Sequence, residues 1–414
     1  MRRINSPYFA ALSVVLLSAC QSDYAPLTSG LQQGFLQPAY GTNRPAPSQM
    51  QPGNPPLQQP GPQTQQPGQQ TPIANQQPAA PAPAPVASAS PAGSCSDDVV
   101  QQLLTPASAS PTPVKLRCSV KLPPQSVVTR QVVFEGDAAS GSSLDCSGGR
   151  LEGTASKGDK DSVVVRSQKS GGVWKRPVGV TVQNCQITNG VRIYGLGRNG
   201  EAQAVKQSSL NANHTTFAQA SAPSDITFNG IRFIGSGGVP FYVSPGVTNV
   251  TLSNSQFSGT SSSVAVYLDA ESAGAKITNN VFNLNTKSRE QIAIDGSAHN
   301  VIAGNKFNRA SNGGIFVYRN CGEGGTIRHQ APQFNRIEQN TFAMSGGRQP
   351  AVWLNSRNGN RSYCFTDPSH PFGSSLTSMD MAQNNTVDNN NAVGGGRDAF
   401  RNSDPTNRLS NNGG

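Results

Sequence analysis

The chain is poor in charge, poor in aromatic residues and without a long apolar run. Charged residues make up 13% of its 414 positions and aromatic residues 6%, with two tryptophans. A nucleic-acid surface needs a basic cluster interleaved with aromatic rings, and none is present, so nucleic acid is excluded as a partner. The longest apolar stretch, Phe9 to Leu17, is too short to span a bilayer, which takes about 20 apolar residues. No 3.6-residue periodicity is sustained, which excludes leucine-rich and helical repeats. No C-x-x-C or zinc-type spacing occurs among the seven cysteines, so a structural metal of that kind is not expected. Nucleotide-binding loops, Ser-His-Asp arrangements and flavin fingerprints are absent as well.

What is present divides the chain into four parts. Residues 1–19 begin with Arg2 and Arg3 and read as a signal peptide. Its end, Leu17-Ser18-Ala19-Cys20, resembles the lipobox of bacterial lipoproteins. That resemblance implies cleavage before Cys20, acylation of Cys20 and, with Gln21 following, delivery to the outer membrane. A lipid on Cys20 would then be the membrane anchor, since two or more acyl chains hold firmly. Residues 20–93 form a Pro/Gln/Ala-rich tract that cannot bury enough surface to fold, and are expected to be a disordered tether. One folded domain is expected over 94–390, acting as a monomer, followed by an Asn/Gly-rich loose tail, 391–414. Six cysteines remain after Cys20, and an even number in an exported protein predicts disulfides. Neighbouring positions favour Cys95–Cys118, Cys146–Cys185 and Cys321–Cys364. The formal net charge of +10 suits an anionic polymer such as an acidic polysaccharide.

Within the domain runs a ladder of similar segments: ITFNGIRF (226–233), VTLSNSQF (250–257), ITNNVF (277–282), IAGNKF (302–307), IEQNTF (337–342) and a faded copy, NNTV (384–387). Their last apolar residues are Phe233, Phe257, Phe282, Phe307, Phe342 and Val387, separated by 24, 25, 25, 35 and 45 residues. A fixed period with occasional insertions is the mark of a solenoid whose repeat is one coil. Asn280, Asn305, Asn340 and Asn385 form a second column, two places before the last apolar residue. Stacked at a tight corner, such asparagines bond from coil to coil and are expected to be structural. Short β-branched strands, turn punctuation and this period together predict an all-β fold, a parallel β-helix.

The motifs LDCSGG (144–149), GVTVQNCQITNG (179–190) and the N-x-F repeats resemble the pectate-lyase-like right-handed parallel β-helix superfamily over about 125–390. The resemblance implies a single-stranded right-handed β-helix, with SVVTRQVVFEGD as its beginning and DDVVQQLL (98–104 within it) as a helical cap. It does not choose an activity, because lyases, epimerases, glycosidases and non-catalytic proteins share these motifs. The G-H-G and R-I-K patterns of polygalacturonase-type glycosidases are missing, as is the D-P-H-D signature of mannuronan epimerases.

A second set of strands supplies candidate chemistry: PFYVS (240–244), VYLD (266–269), IAID (292–295), FVYR (316–319) and VWLN (352–355). Alternation sorts them into faces. Phe241, Val266, Ile292, Phe316 and Val352 are expected to point inward, as are Val243, Leu268, Ile294, Tyr318 and Leu354. Outward columns are expected to hold Tyr242, Tyr267, Ala293, Val317 and Trp353, and Ser244, Asp269, Asp295, Arg319 and Asn355, with Arg192 and Tyr194 on the same face. Aromatic rings stack on sugars, while carboxylates, Arg and Asn bind hydroxyls or uronates. Asp269, Asp295 and Arg319 are therefore the expected catalytic centre, with Tyr242, Tyr267, Trp353 and Asn355 binding substrate. A close carboxylate pair serves glycoside hydrolysis, calcium-assisted binding of a uronate, or elimination and epimerisation helped by a neighbouring Arg. Calcium is the one cofactor this pattern admits.

The insertions behind the steps of 35 and 45 leave from the corner that follows Arg319 and Asn355, and are expected to roof this face. They offer Glu323, Arg328, Arg357, Arg361 and Tyr363 for binding, and His329 as a candidate acid or base. His214 lies on the insertion 195–224, His299 on a turn, and Glu271 two places after Asp269 as a reserve carboxylate. The reading is an envelope lipoprotein acting on an acidic polysaccharide as a lyase, epimerase or glycosidase; the alternative is a non-catalytic polysaccharide binder or structural protein.

Overall fold

A computed structural model describes residues 89–414 apart from 155–160, 322, 345, 347–348 and 359–365. The signal segment, Cys20, most of the tether, Arg361, Tyr363 and Cys364 lie outside the described residues. The domain is a right-handed parallel β-helix with three ten-stranded sheets along its length. The first sheet runs from Val114–Lys115 to Phe400–Arg401, and the second from Val120–Lys121 to Arg408–Ser410. The third runs from Val127–Val128 to Asn391–Val393. Most coils place one strand in each sheet, in parallel register with the coil before it, and the last joins the third sheet only through the bridge Asn391–Gly413.

The interior is made of the predicted columns. Phe233, Phe257, Phe282, Phe307 and Phe342 stack with ring centroids 4.4 to 4.6 Å apart, close to the strand spacing of about 4.8 Å that sets the rise per coil. Phe228, Leu252, Ile277, Ile302 and Ile337 form the column of the second sheet. At the start of the solenoid a short helix, Asp97–Leu104, packs Leu103 against this core, as the cap reading expected. Two of the expected disulfides are present, Cys95–Cys118 and Cys146–Cys185; the third involves Cys364, outside the described residues.

The asparagines are structural, and they form two ladders. In one, Asn280, Asn305, Asn340, Asn390 and Asn412 pass side-chain hydrogen bonds of 3.0 Å from coil to coil. In the other, Asn300, Asn335, Asn385 and Asn407 do the same. Two expectations are corrected here. Asn385 belongs to the second ladder, and Val387 pairs with Ile337 while Ala392 takes the place beside Phe342. Ala392 is too small to mark the end of a repeat by sequence, whereas Val387, the anchor five residues earlier, has the apolar character of one. Residues 391–414 are likewise not a loose tail: they hold strands of all three sheets and extend both ladders. Their Asn-rich composition is what a coil-to-coil ladder requires.

Candidate functional site

The outer face of the first sheet carries the candidate chemistry. Cross-strand pairing builds one outward column from Arg192, Tyr242, Tyr267, Ala293, Phe316, Trp353 and Arg401. Tyr242 and Tyr267 lie ring on ring at 4.8 Å. Arg192 sits over the Tyr242 ring at 4.0 Å, and Arg401 over the Trp353 ring at 5.1 Å. The three rings remain half-buried.

One coil differs from the expected register. Ile315 pairs with Ile292 and Tyr318 with Asp295, so Phe316 and Tyr318 face outward while Ile315 and Val317 enter the core. Every residue of Ile315-Phe316-Val317-Tyr318 is apolar enough for either face, so alternation alone had no direction there. Packing decides it. Ile315 and Val317 match the aliphatic columns above and below, whereas two rings would overfill them. The Tyr318 hydroxyl also needs polar partners, and it meets Arg289 and Glu290 at 2.6 and 3.1 Å on the outer side. Arg319 therefore does not join the carboxylates. It is fully buried, and its Nη2 donates to the carbonyls of Thr377 and Met379, tying down the last long loop.

Asp269 and Asp295 do stand on adjacent coils, and both are buried. The Tyr242 hydroxyl donates to Asp269 Oδ2 at 2.7 Å, and the Tyr267 hydroxyl to Asp295 Oδ2 at 2.5 Å. Arg328 brings Nη1 to 3.5 Å from Asp269 and Nη2 to 3.8 Å from Glu323. The insertion 195–224 crosses directly above this guanidinium. A Cβ on Gly200 would lie 1.8 Å from Arg328 Nη1, so a side chain there would push the guanidinium from its place. Asn320, which sequence reasoning missed, gives its backbone N–H and side-chain amide to Asp295 and accepts from Arg357. Its signal was its place at the loop corner directly after Arg319. Arg357 in turn lies over the Tyr318 ring at 4.0 Å.

Burial dominates the electrostatics. It pushes the Asp269 carboxyl up to about 6, with the charge of Asp295 adding to the rise and Arg328 opposing it. It pushes both phenols well above their usual range, reinforced by the carboxylates they touch. Glu323 is also raised by burial.

The remaining expected site residues serve elsewhere. Asn355 spends its side-chain amide on the backbone of Ala382, closing a loop, and has no part in the aromatic column. His329 points away from the carboxylates. Its Nε2 meets the carbonyl of Ser209 at 2.7 Å, and its ring lies 5.0 Å from His214 and 4.7 Å from Phe372. Burial holds its imidazole below the ordinary value. Glu271 joins this second cluster, with Oε2 3.6 Å from His214 Nε2. His299 stacks on Phe334 at a turn. Among the described residues no group of three or more His, Cys, Asp or Glu is disposed to hold a metal ion. Calcium at the carboxylate pair would have to compete with Arg328 for Asp269. A shallow depression of about 470 Å³, lined by Lys121, Asp145, Asn184 and Arg232 among others, contains none of the expected site residues.

The family model described as a right handed beta helix region matches residues 193–360, the stretch that holds most of this face. No curated protein sequence matches the chain. Among solved structures, the surface protein and adhesin PfbA of Streptococcus pneumoniae aligns over 76% of this chain and 83% of its own, at 11% identity and a TM-score of 0.33. The A-module of the mannuronan C-5 epimerase AlgE4 of Azotobacter vinelandii aligns over 78% and 93%, at 11% identity and a TM-score of 0.28. The tailspike protein of the E. coli bacteriophage HK620 aligns over 73% and 54%, at 11% identity and a TM-score of 0.32. Scores at this level leave activity, substrate and partners unassigned.

Proposed function

We propose that the protein binds an acidic polysaccharide along the outer face of the first sheet and acts on it by elimination or hydrolysis, with Asp269 moving the proton. The observation that carries this reading is the pair Tyr242–Asp269 and Tyr267–Asp295 repeated on adjacent coils beside Arg328. A carboxyl lifted to about 6 exchanges its proton near neutrality, which is what a general acid or base requires. Ionised groups buried on the outer face of a solenoid cost stability, and such costs concentrate where chemistry is done. Arg192 and Arg401, seated over Tyr242 and Trp353, add positive charge along this face, which suits an anionic polymer. In this account the chain is an envelope lipoprotein held by acylated Cys20.

Binding without turnover is the second reading. It is favoured by the internal hydrogen bonds that already cap Asp269 and Asp295. Either reading requires the ladder of rings. Replacing Trp353 and Arg192 together by Ala is expected to weaken retention on a uronate polymer by about tenfold or more, at about 1 kcal/mol per lost stacking or cationic contact. Affinity electrophoresis through gels containing pectate, alginate or a neutral glucan measures it. Equal retardation of both proteins in the acidic polymers removes this face as the binding site.

A further inference from the structure

We propose that Glu271 is the positioning residue that registers the 320–330 loop and the helical insertion 195–224 so that Arg328 reaches Asp269. Glu271 touches neither Asp269 nor the aromatic column in any hydrogen bond described above. It stands at the turn after the strand Val266–Leu268, fully buried, with a left-handed φ of 58°. A non-glycine residue in that region is strained, and such strain persists only where the surroundings hold it.

Its carboxylate is the meeting point of the roof. Oε1 accepts the backbone N–H of His329 at 2.8 Å and of Gln330 at 3.3 Å. These are the two residues directly after Arg328, so the bonds set where the guanidinium starts. Oε2 faces His214, the first residue of the helix His214–Ser221 on the insertion. The Glu271 carbonyl accepts from Gln219 of the same helix at 2.9 Å. Gln330 completes the joint by donating to the carbonyls of Ser272 and Gly296, both at 2.8 Å. One residue thus joins two insertions that are far apart in sequence, through its side chain to one and its carbonyl to the other, and Gly200 on one of them lies against Arg328 on the other. Burial acts to raise the Glu271 carboxyl, but His214, His329 and Arg328 together hold it down at about 2, so it stays an anion.

The inference rests on the proposed site for its functional meaning, but its test needs no glycan. Two substitutions separate reach from charge. Glu271→Asp keeps the charge, tolerates the left-handed backbone and withdraws the oxygens from the His329 and Gln330 amides. Glu271→Gln keeps an acceptor at full reach and removes the charge. In the full-length protein, hydrogen exchange of the His329 and Gln330 amides should be about tenfold faster in Glu271→Asp, and near wild type in Glu271→Gln. Amides of Ile277, Ile302 and Ile337 within the stacked coils should be unchanged in both. The groups facing Asp269 are Arg328, Asp295 and Tyr242. With Arg328 out of register, the midpoint of Asp269 should climb above about 6 in Glu271→Asp. It is read from the pH at which the stability gap between each protein and its Asp269→Asn counterpart stops growing. Faster exchange across the coils as well would show a merely structural role. Disturbance by Gln but not by Asp would show an effect of charge alone. Either result, or exchange like wild type in both, overturns the proposal. Failure of glycan binding with the expected exchange pattern would count against the proposed function and leave the positioning role intact.

Discussion

Asp269→Asn and the wild-type protein should unfold with equal stability near pH 3.8 and diverge as the pH rises, the variant becoming more stable by about 3 kcal/mol above pH 6. The sign follows from the direction of the shift. Burial raises this carboxyl from its ordinary 3.8 to about 6. Its contribution to stability is therefore fully present below 3.8 and is lost as the pH rises through 6. Asn resembles the protonated form and does not titrate, so it escapes the loss. Urea unfolding at a series of pH values measures the gap. A gain in stability on removing a charge marks a residue kept for a task other than folding. A variant less stable than wild type at pH 7 would mean that the ionised carboxylate is a structural partner of Arg328.

Arg328→Met should act in the opposite direction, with a loss of about 3–5 kcal/mol at pH 7, the usual cost of stranding a buried charge. Arg328 is the cation that restrains Asp269, and it is itself buried against Asp269 and Glu323. Without it the Asp269 midpoint moves above about 6. Part of the lost stability should return near pH 5, where Asp269 is then protonated. In the double variant Asp269→Asn, Arg328→Met the cost should fall well below that of Arg328→Met alone, because the two groups are coupled. Additive effects across pH would show that they do not share an interaction, and would separate Arg328 from the site.

Much of this face was legible in the sequence because a solenoid turns period into position. The repeat spacing of about 25 residues placed Tyr242 beside Tyr267, 25 apart, and Asp269 beside Asp295, 26 apart, without knowledge of any contact. It failed where the side chains carried no alternation. Ile315-Phe316-Val317-Tyr318 reads the same on either face, and one residue of slip carried Arg319 away from the carboxylates. It failed again in the insertions, where no period exists. His329 looked like an acid or base because it was a histidine on a long loop. Its burial against His214, Phe372 and Ser209 depends on loops that dock from three separate parts of the chain. Asn320 was hidden for the same reason, since its value lies in two donors aimed at Asp295. The faded last repeat misled through size, because Ala392 fills a column that Phe fills elsewhere.

Turnover by the full-length protein is the most direct test of the central claim. Wild type, Asp269→Asn and Asp295→Asn are incubated with pectate, alginate and other uronate polymers, with and without calcium. Reducing ends, ultraviolet absorbance of unsaturated products and retained polymer are followed together. The account predicts turnover of at least one acidic polymer by wild type, falling by about 10³-fold in Asp269→Asn while the polymer is still retained. Retention without turnover by wild type, or equal turnover by wild type and Asp269→Asn, would contradict it.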